Sequence, residues 1–570
     1  MEKIMRNLYD VIVNNSDTIM DFKFDTTNFY RSEDEELITY LSIDNGYSRA
    51  FVFKGQGKDL NTALENAVSE YREKININFK PISVRLDIVN EVFPVLRKKE
   101  KSRINVRNDE IKYRRGEDGL MFFNDFSVAF LPQEVEAYQM IQKRRIQTKN
   151  VFKAFEKHFL LEQQNLMKKL LISQYMNVYK FRTNAWFVNE KEYFPLFRGY
   201  RTYESLTKKD LWNAVKLTRN NYFKQAVNSK GKFAYVYDPR NNNVPARYNI
   251  LRHAGTTYSM LETYELMPND GLMRAIERAI KYLLTKVKTT TINGVKAQVI
   301  VEKDAAKLGG NGLAIVALAK YTQITGDKQY LPLMQSMATW MGELQDETGK
   351  FAIHKQIFST GEDSGFVSHY YPGEAILALC RLYQIDKNEK WLDIAENEAN
   401  YLINVRDVKA SVRTIAHDHW LLYALNDLYR ERPKEMYLKH SFFIAKAILR
   451  IQRLDPKKYP KERLGSFDSH SNAPSTPTAC RVEGLGAAYR LAYDHGYMEE
   501  AEQYRKSMKE AIKFQLQMHL KPESVMFYEN KRLSLGAVHA NLSNYELRND
   551  YTQHNISSFI SYYNILKHYN

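Results

Sequence analysis

A pattern of ten residues recurs along the second part of the sequence and limits its fold more than any other feature. Each copy combines small residues, Leu or Ile, and a final Tyr. The copies are Gly255–Tyr264, Gly312–Tyr321, Glu374–Tyr383, Trp420–Tyr429 and Gly484–Tyr493, with a looser sixth at His554–Tyr563. Because apolar residues occur on all sides of each segment, the pattern predicts helices that are buried on every face.

Longer segments with one apolar and one charged side lie between these copies. In EKWLDIAENEANYLI, for example, Trp391, Ile394 and Ala395 recur at helical spacing. Comparable amphipathic helices are predicted near 206–228, 270–288, 327–345, 389–406, 434–453 and 498–518. Buried and amphipathic helices therefore alternate six times with a period of roughly 60 residues. A ring of inner helices within a ring of outer ones, an (α/α)6 toroid, accommodates both kinds.

The loops that lead from outer to inner helices are long and rich in Gly, Asn, Asp and His, whereas the opposite links are short turns. Two of the long loops contain GKFA, at 231–234 and 349–352, and are predicted to continue as strands across one mouth of the ring. Long loops on a rigid scaffold are the usual place for a functional site.

The first part of the sequence has a different pattern. Alternating runs at 38–43, 49–54 and 82–89 predict strands, with a helix near 58–73 between the second and third. The predicted fold class is therefore multidomain, an α+β domain followed by an all-α toroid. We assign the α+β domain to 1–145, a long helix and extended connecting segments to 146–200, and the toroid to 201–570.

The segment YRRGEDGLMFFNDFSVAFLPQEVEAY (113–138) resembles the AMMECR1 family, which has a similar G-x-D-G-L…L-L-P-Q-V stretch. That family's L-R-G-C-I-G motif is missing, and KGQGKDL (54–60) occupies its approximate place. Since the chemistry of that family is obscure, the resemblance implies a fold for this domain but no activity.

Composition excludes several classes of protein. Two cysteines, Cys380 and Cys480, are too few for a disulfide framework or a four-thiolate zinc site. Lys and Arg number 83 against 67 Asp and Glu, a net charge of +16, but they are dispersed except in RKKEKSR (97–103), which we interpret as a solvated loop. No nucleic-acid-binding motif occurs, and no apolar run is long enough to cross a membrane. The first residues lack a secretory signal, so the sequence predicts a cytoplasmic protein of undetermined oligomeric state.

Polar side chains cluster just before or at the start of each predicted inner helix. Capping explains Asn311 and Asp418 equally well. It does not explain histidines and arginines there, because the positive end of a helix dipole disfavours cations. We therefore predict a site for a polar, acidic glycan. The candidate binding residues are Arg252, His253, Asn311, His369, Tyr370, His419, Arg481, Arg548 and His554.

The predicted toroid resembles carbohydrate-active (α/α)6 families, namely six-hairpin glycosidases, toroidal polysaccharide lyases and uronate C5-epimerases. RNDYTQHNI (548–556) is also similar to the R-x-D-Y-x-x-x-H segment of heparosan-type glucuronyl C5-epimerases, although the His here is one residue closer to the Tyr. The resemblance implies that Tyr551 is a candidate for proton transfer at a sugar carbon.

The residue types favour glycoside hydrolysis, which needs one protonated and one ionised carboxyl group. Glu374 and Glu483 are the preferred pair because each adjoins a glycine at the opening of an apolar helix, where desolvation raises the pKa of a carboxyl group; Asp418 and Asp550 are further candidates. A C5-epimerase or lyase using Tyr551 or a His remains an alternative, as does a non-catalytic glycan-binding or assembly protein. We predict no metal, because His417 and His419 would point apart on a helix, and we also predict no cofactor.

Overall fold

The computed structural model describes residues 1–17, 19–75, 78–95, 104–105, 109–122, 125–158, 165, 168, 175–467 and 472–569. The basic run at 97–103 lies outside these residues. Two compact units result. The first comprises Met1–Thr202, Asp238–Asn243 and Leu520–Ser534, and the second comprises Tyr203–Tyr237, Val244–His519 and Leu535–Asn570. Short segments from the later part of the chain thus belong to the first unit.

The first unit is built on an antiparallel sheet with helices. Six of its strands occur in the order Tyr200–Arg201, Tyr193–Phe197, Tyr179–Asn189, Ser83–Pro94, Leu37–Asp44 and Phe51–Gly57, and Gly119–Met121 and Ala129–Phe130 extend the sheet beside Tyr179–Asn189. Helices Glu2–Ile12 and Leu60–Lys74 pack their apolar residues with this sheet. Asp59 caps the second of them by accepting a hydrogen bond from the Thr62 backbone N–H. The predicted strands and helix of the α+β domain are confirmed.

The segment predicted as a connector has a different structure. A helix covers Thr148–His158, and most of the remainder of the predicted long helix lies outside the described residues. Tyr179–Asn189 is not a connecting segment, because it pairs with Ser83–Pro94 along most of its length. Its buried side chains, such as Phe181 and Phe187, contribute to the unit's core.

The second unit contains, within the described residues, six outer and six inner helices in alternation. The outer helices are Lys208–Asn220, Asp270–Leu284, Leu331–Gly342, Glu389–Tyr401, Glu435–Arg450 and Met498–Leu516. The inner helices, numbered 1 to 6 below, are Ile250–Leu266, Leu308–Thr325, Tyr371–Asp386, His419–Glu431, Ser475–Asp494 and Asn549–His568. Each inner helix packs on the next and the sixth packs on the first, so the ring closes. The predicted toroid is confirmed.

Glycines allow the inner helices to approach closely. A Cβ on Gly373 of inner helix 3 would lie 2.6 Å from the Leu421 backbone nitrogen of inner helix 4. One on Gly312 of inner helix 2 would lie 3.0 Å from the Glu374 carbonyl oxygen. Since real Cβ atoms essentially never lie closer than 3.0 Å to another heavy atom, these glycines allow helix spacings that a larger residue would prevent.

Short sheets lie in the loops before the inner helices. Val236–Tyr237 pairs with Asn544–Arg548, and Lys355–Ile357 pairs with Ala305–Lys307. The two GKFA segments are thus followed by strands that are shorter than predicted. A longer hairpin, Val287–Ile292 with Val295–Glu302, was not predicted. None of the helices in the described part of the chain has the length and apolar character needed to cross a membrane.

Candidate active site at the start of the inner helices

Chemically versatile side chains converge near the N-terminal ends of the inner helices. Arg252 of inner helix 1 is an electrostatic neighbour of Glu374, Asp550 and Cys480, which belong to three other inner helices. It is also a neighbour of His419 and His554. The ring therefore brings together groups that are up to 302 positions apart in sequence, from Arg252 to His554.

Glu374 carries a buried carboxyl group whose two oxygens differ in their surroundings. Its side chain is 2% exposed, and Oε2 has no hydrogen-bond partner among the described residues. Burial raises the pKa of Glu374 to about 8, with Arg252 opposing and Asp418 adding to the shift. Gly309 of inner helix 2 provides the space, because a Cβ there would lie 1.9 Å from Oε2. Such a carboxyl group is protonated at neutral pH and is able to donate its proton.

Asp418 combines a structural and a potentially chemical role. Its Oδ1 caps inner helix 4 by accepting a hydrogen bond from the Leu421 backbone N–H at 3.1 Å. Its Oδ2 is buried and has no partner among the described residues. Burial raises the pKa of Asp418 to about 7, against the Leu421 hydrogen bond. The capping and site hypotheses from the sequence therefore both apply to this residue.

Two imidazoles lie beside these carboxyl groups. His554 Nδ1 is 3.0 Å from Glu483 Oε1, and both side chains are buried. The His419 ring lies edge to face with the His554 ring at 5.2 Å between centroids. Both nitrogens of His419 and Nε2 of His554 lack hydrogen-bond partners within the described residues. Burial holds the pKa of both histidines well below the usual range, so the rings are neutral.

The same place contains a group of potential metal ligands. His419, Cys480 and His554 each offer a ligand atom, and these atoms lie within 4.8 Å of one another. Cys480 was not among the candidates from the sequence. It precedes Glu483 by three positions, a helical spacing that places the two side chains on the same face and that could have identified it.

An arginine–aspartate network borders the site on inner helices 1 and 6. Arg548 donates two hydrogen bonds to Asp550, at 2.5 and 2.8 Å, and Arg252 Nε lies 3.4 Å from Asp550 Oδ2. The Arg548 guanidinium stacks 4.4 Å from the centre of the Tyr551 ring. Burial raises the pKa of Tyr551, so its hydroxyl keeps its proton at neutral pH. Asp550 thus holds two guanidinium groups in position.

Two further candidates, Tyr370 and Arg481, are neighbours of His419. His369 is exposed, and Tyr370 is 49% exposed with its ring centre 6.3 Å from that of His419. Arg481 Nε donates to His417 Nδ1 at 3.2 Å. His417 is therefore a partner of Arg481 and is not part of the His419–Cys480–His554 group.

The structure does not bring His253 or Asn311 into the group. His253 is buried between inner helix 1 and the second outer helix, where Nε2 is 2.8 Å from the Ala279 carbonyl and Nδ1 is 2.7 Å from the Tyr248 hydroxyl. The Asn311 side chain accepts from the Ile300 backbone N–H at 2.7 Å and donates to the Lys307 carbonyl at 2.9 Å. Both side chains thus have structural partners on neighbouring segments.

Asn311→Ala is expected to lower the free energy of unfolding by about 1–3 kcal/mol, because it leaves the buried Ile300 backbone N–H without its partner and removes the hydrogen bond to the Lys307 carbonyl. Denaturant titration measures this effect. Asn213→Ala, at an exposed helical position, is the control and should change stability by less than about 0.5 kcal/mol. Equal stability of the two variants would contradict the structural role of Asn311.

Comparison with known proteins supports the class of the second unit. Residues 248–512 match the model of the family described as β-L-arabinofuranosidase, GH127 catalytic domain. The closed ring of helix pairs and this match together identify a carbohydrate-active enzyme. No curated protein matches the chain.

Solved structures with a similar arrangement include the GH76A α-1,6-mannanase from Salegentibacter sp. HEL1_6, at 12% identity and a TM-score of 0.44, covering 63% of this chain and 99% of that one. Cellobiose 2-epimerase from Bacillus thermoamylovorans B4167 is similar at 13% identity and a TM-score of 0.47, with 63% and 98% covered. An unsaturated glucuronyl hydrolase specific for heparin is similar at 15% identity and a TM-score of 0.45, with 63% and 99% covered.

Proposed function

We propose that the protein hydrolyses a glycosidic bond of an acidic glycan, with Glu374 as the general acid. The observation that carries the proposal is the Glu374 carboxyl group, which is buried, has a pKa of about 8 and leaves Oε2 without a partner among the described residues. A buried acid that is protonated at neutral pH can protonate the glycosidic oxygen, so that the departing saccharide leaves with a neutral hydroxyl group.

Asp418 is the proposed counterpart of Glu374. Its lower pKa of about 7 leaves it largely ionised where Glu374 is still protonated, and its Oδ2 has no partner within the described residues. Glu483, the other carboxyl group favoured by the sequence, is less suited to this role because burial raises its pKa well above the usual range and His554 occupies one oxygen. We assign Glu483 to the positioning of His554.

In the proposed reaction, the Glu374 proton moves to the glycosidic oxygen as the bond from that oxygen to the anomeric carbon breaks. A water molecule forms a new bond to the anomeric carbon and passes a proton to Asp418. The proton on Asp418 returns to solvent and Glu374 is reprotonated, so the enzyme is regenerated. The products are two saccharides, one of them with a new reducing end.

The charge of the rim supports an anionic substrate. Arg252, Arg481 and Arg548 lie near the N-terminal ends of inner helices 1, 5 and 6, where Asp550 pairs with Arg252 and Arg548. Three cations around one carboxylate attract carboxylates or sulfates. The family match adds β-L-arabinofuranosides as the first neutral substrates to test. Substrates should therefore include both uronate-rich glycans and arabinofuranosides.

C5 epimerisation or β-elimination in the same place is the second candidate function. It is favoured by the neutral His419 ring, both of whose nitrogens lack a partner among the described residues, since a neutral imidazole can remove a carbon-bound proton. The protonated Tyr551 hydroxyl would then serve as the donor. Arg252 and Arg548 would neutralise the substrate carboxylate.

One incubation series separates the alternatives. Purified protein is mixed with each glycan, and reducing ends, the ultraviolet absorbance of unsaturated uronates and deuterium uptake at sugar carbons in heavy water are followed. New reducing ends without absorbance or deuterium support hydrolysis. Absorbance indicates elimination, and deuterium uptake alone indicates epimerisation. No signal in any of the three assays favours a binding protein.

The pH dependence of hydrolysis should have two limbs. Asp418 must be ionised, so kcat/KM is expected to rise as the pH increases through about 7, and Glu374 must be protonated, so it is expected to fall as the pH increases through about 8. Since the two carboxyl groups interact, the limbs report the pair as a whole. Initial rates across mildly acidic to alkaline buffers measure the profile. An optimum in acid followed by decline before neutrality would contradict these roles.

A further inference from the structure

The first unit contains a basic pocket of about 500 Å³. Five of its lining residues are basic, namely Lys112, Arg114, Arg144, Lys180 and Arg182, and Glu110 is the acidic one. This volume lies within the range of about 300–1,000 Å³ that is typical of small-ligand pockets.

A buried carboxylate fixes two of the cations. Asp118 is fully buried and accepts hydrogen bonds from Lys180 Nζ at 3.0 Å and from Arg182 Nε at 3.1 Å. It also accepts one from the Arg114 backbone N–H at 2.8 Å, which fixes the backbone at Arg114 just before the turn at 115–117. The Phe93 ring lies beneath both cations, 5.8 Å from Lys180 Nζ and 5.0 Å from the Arg182 guanidinium carbon. The two side chains are thus held in position before any ligand binds.

Arg144 enters the pocket from a tight hairpin. Ile141–Gln142 pairs with Arg145–Ile146, and the turn residues Lys143 and Arg144 have φ values of +47° and +63°. The Arg144 carbonyl accepts a hydrogen bond from the Ile111 backbone N–H at 2.8 Å. This bond ties the hairpin to the segment that carries Lys112. In the described part of the chain, neither Arg144 nor Lys112 has a carboxylate within ion-pair distance.

We propose that this pocket binds carboxylate or sulfate groups of an acidic saccharide and is a second glycan site, separate from the ring. Asp118, Glu91 and Glu117 pair with Arg114, Lys180 and Arg182. Lys112 and Arg144 have no such partner within the described residues and therefore favour an anion, and guanidinium groups match the planar, two-oxygen geometry of carboxylates. The saccharide identity rests on the proposed function of the ring.

A saccharide fits better than single-stranded nucleic acid. Nucleic acid without base pairing stacks its bases on exposed aromatic rings, whereas the described lining contains one aromatic residue, Tyr113, whose hydroxyl is buried. Sugars with acidic groups need cations and hydrogen-bond donors in a concavity, which the pocket supplies.

The test is calorimetric titration of the full chain carrying Glu374→Gln, which is expected to slow turnover strongly, with an oligouronate of defined length. We expect two sites. Adding Arg144→Glu should weaken one of them about tenfold or more, because it replaces attraction by repulsion, and Lys112→Glu should do the same. Arg145→Glu is the matched control, since Arg145 is exposed on the same hairpin and does not line the pocket; it should leave both sites intact.

Three results would overturn the second site. They are equal weakening by Arg145→Glu and Arg144→Glu, a single binding site that Arg144→Glu does not affect, and tighter binding of single-stranded DNA than of the oligouronate with the same dependence on Arg144. Failure of the function proposed for the ring would give a different result. The wild-type chain would then not hydrolyse the glycan, while Arg144→Glu would still weaken oligouronate binding.

Discussion

Glu374→Gln is expected to lower kcat about 10²–10⁴-fold with little change in stability. The amide has nearly the same shape as the protonated carboxyl group but no acidic proton to transfer. A factor of about 10²–10⁴ is the usual contribution of general acid catalysis. Because Glu374 is buried and protonated at neutral pH, the substitution leaves no buried charge unpaired. Initial rates of reducing-end release, measured beside a thermal unfolding curve, provide the comparison.

Glu398→Gln is the matched control for this substitution. Glu398 is also a buried glutamate, lies in the fourth outer helix and has a pKa raised to about 7 by burial. Its Oε2 accepts a hydrogen bond from the Phe351 backbone N–H at 2.6 Å, which a glutamine oxygen can also accept. The control should therefore retain nearly all activity. If both variants cleave as the wild type does, Glu374 is not the acid.

Gly309→Ala should reduce kcat/KM about 100-fold although Gly309 has no reactive group. An added Cβ would lie 1.9 Å from Glu374 Oε2 and 2.4 Å from Tyr371 Cδ1, so the carboxyl group must move. A displacement of about 1 Å in a reacting group is sufficient for a loss of this size. Alanine favours a helix over glycine by about 1 kcal/mol, so a loss of activity cannot be attributed to helix propensity.

The adjacent glycine provides the control. A Cβ on Gly310 would have its nearest neighbour, Lys307 Cβ, at 3.6 Å, which is an ordinary contact. Gly310→Ala should thus keep wild-type activity and gain slightly in stability. Equal activity of the two alanine variants would show that the position of Glu374 does not depend on Gly309.

The helical ring could be predicted because its two kinds of helix have different sequences. A segment such as Gly312–Tyr321, which is apolar on all sides, has to be covered on all sides, and six such segments alternating with amphipathic ones leave closure as the economical solution. The hairpin Val287–Glu302 was missed although Asn293–Gly294, with φ values of +50° and +81°, is a typical hairpin turn. The strand at Tyr179–Asn189 was interpreted as a connector because its partner, Ser83–Pro94, is distant in sequence.

The sequence could predict that the site lies at the helix ends, but it could not predict which side chains point into the site. Arg252 and His253 are adjacent, and successive residues on a helix point about 100° apart, so Arg252 joins the group while His253 packs against the second outer helix. Asn311 and Asp418 look alike as caps, yet only Asp418 keeps a buried oxygen without a partner in the described residues. Which face of each helix is turned inward depends on the packing of the ring.

The dependence of hydrolysis on the leaving group tests the role of Glu374 most directly. Aryl glycosides of the sugar that the protein releases, with phenols of graded acidity, are cleaved by the wild type and by Glu374→Gln. If Glu374 protonates the departing oxygen, the variant's loss should be greatest for weakly acidic phenols and should nearly vanish for the most acidic one, which departs without a proton. The same loss for every phenol would contradict the account.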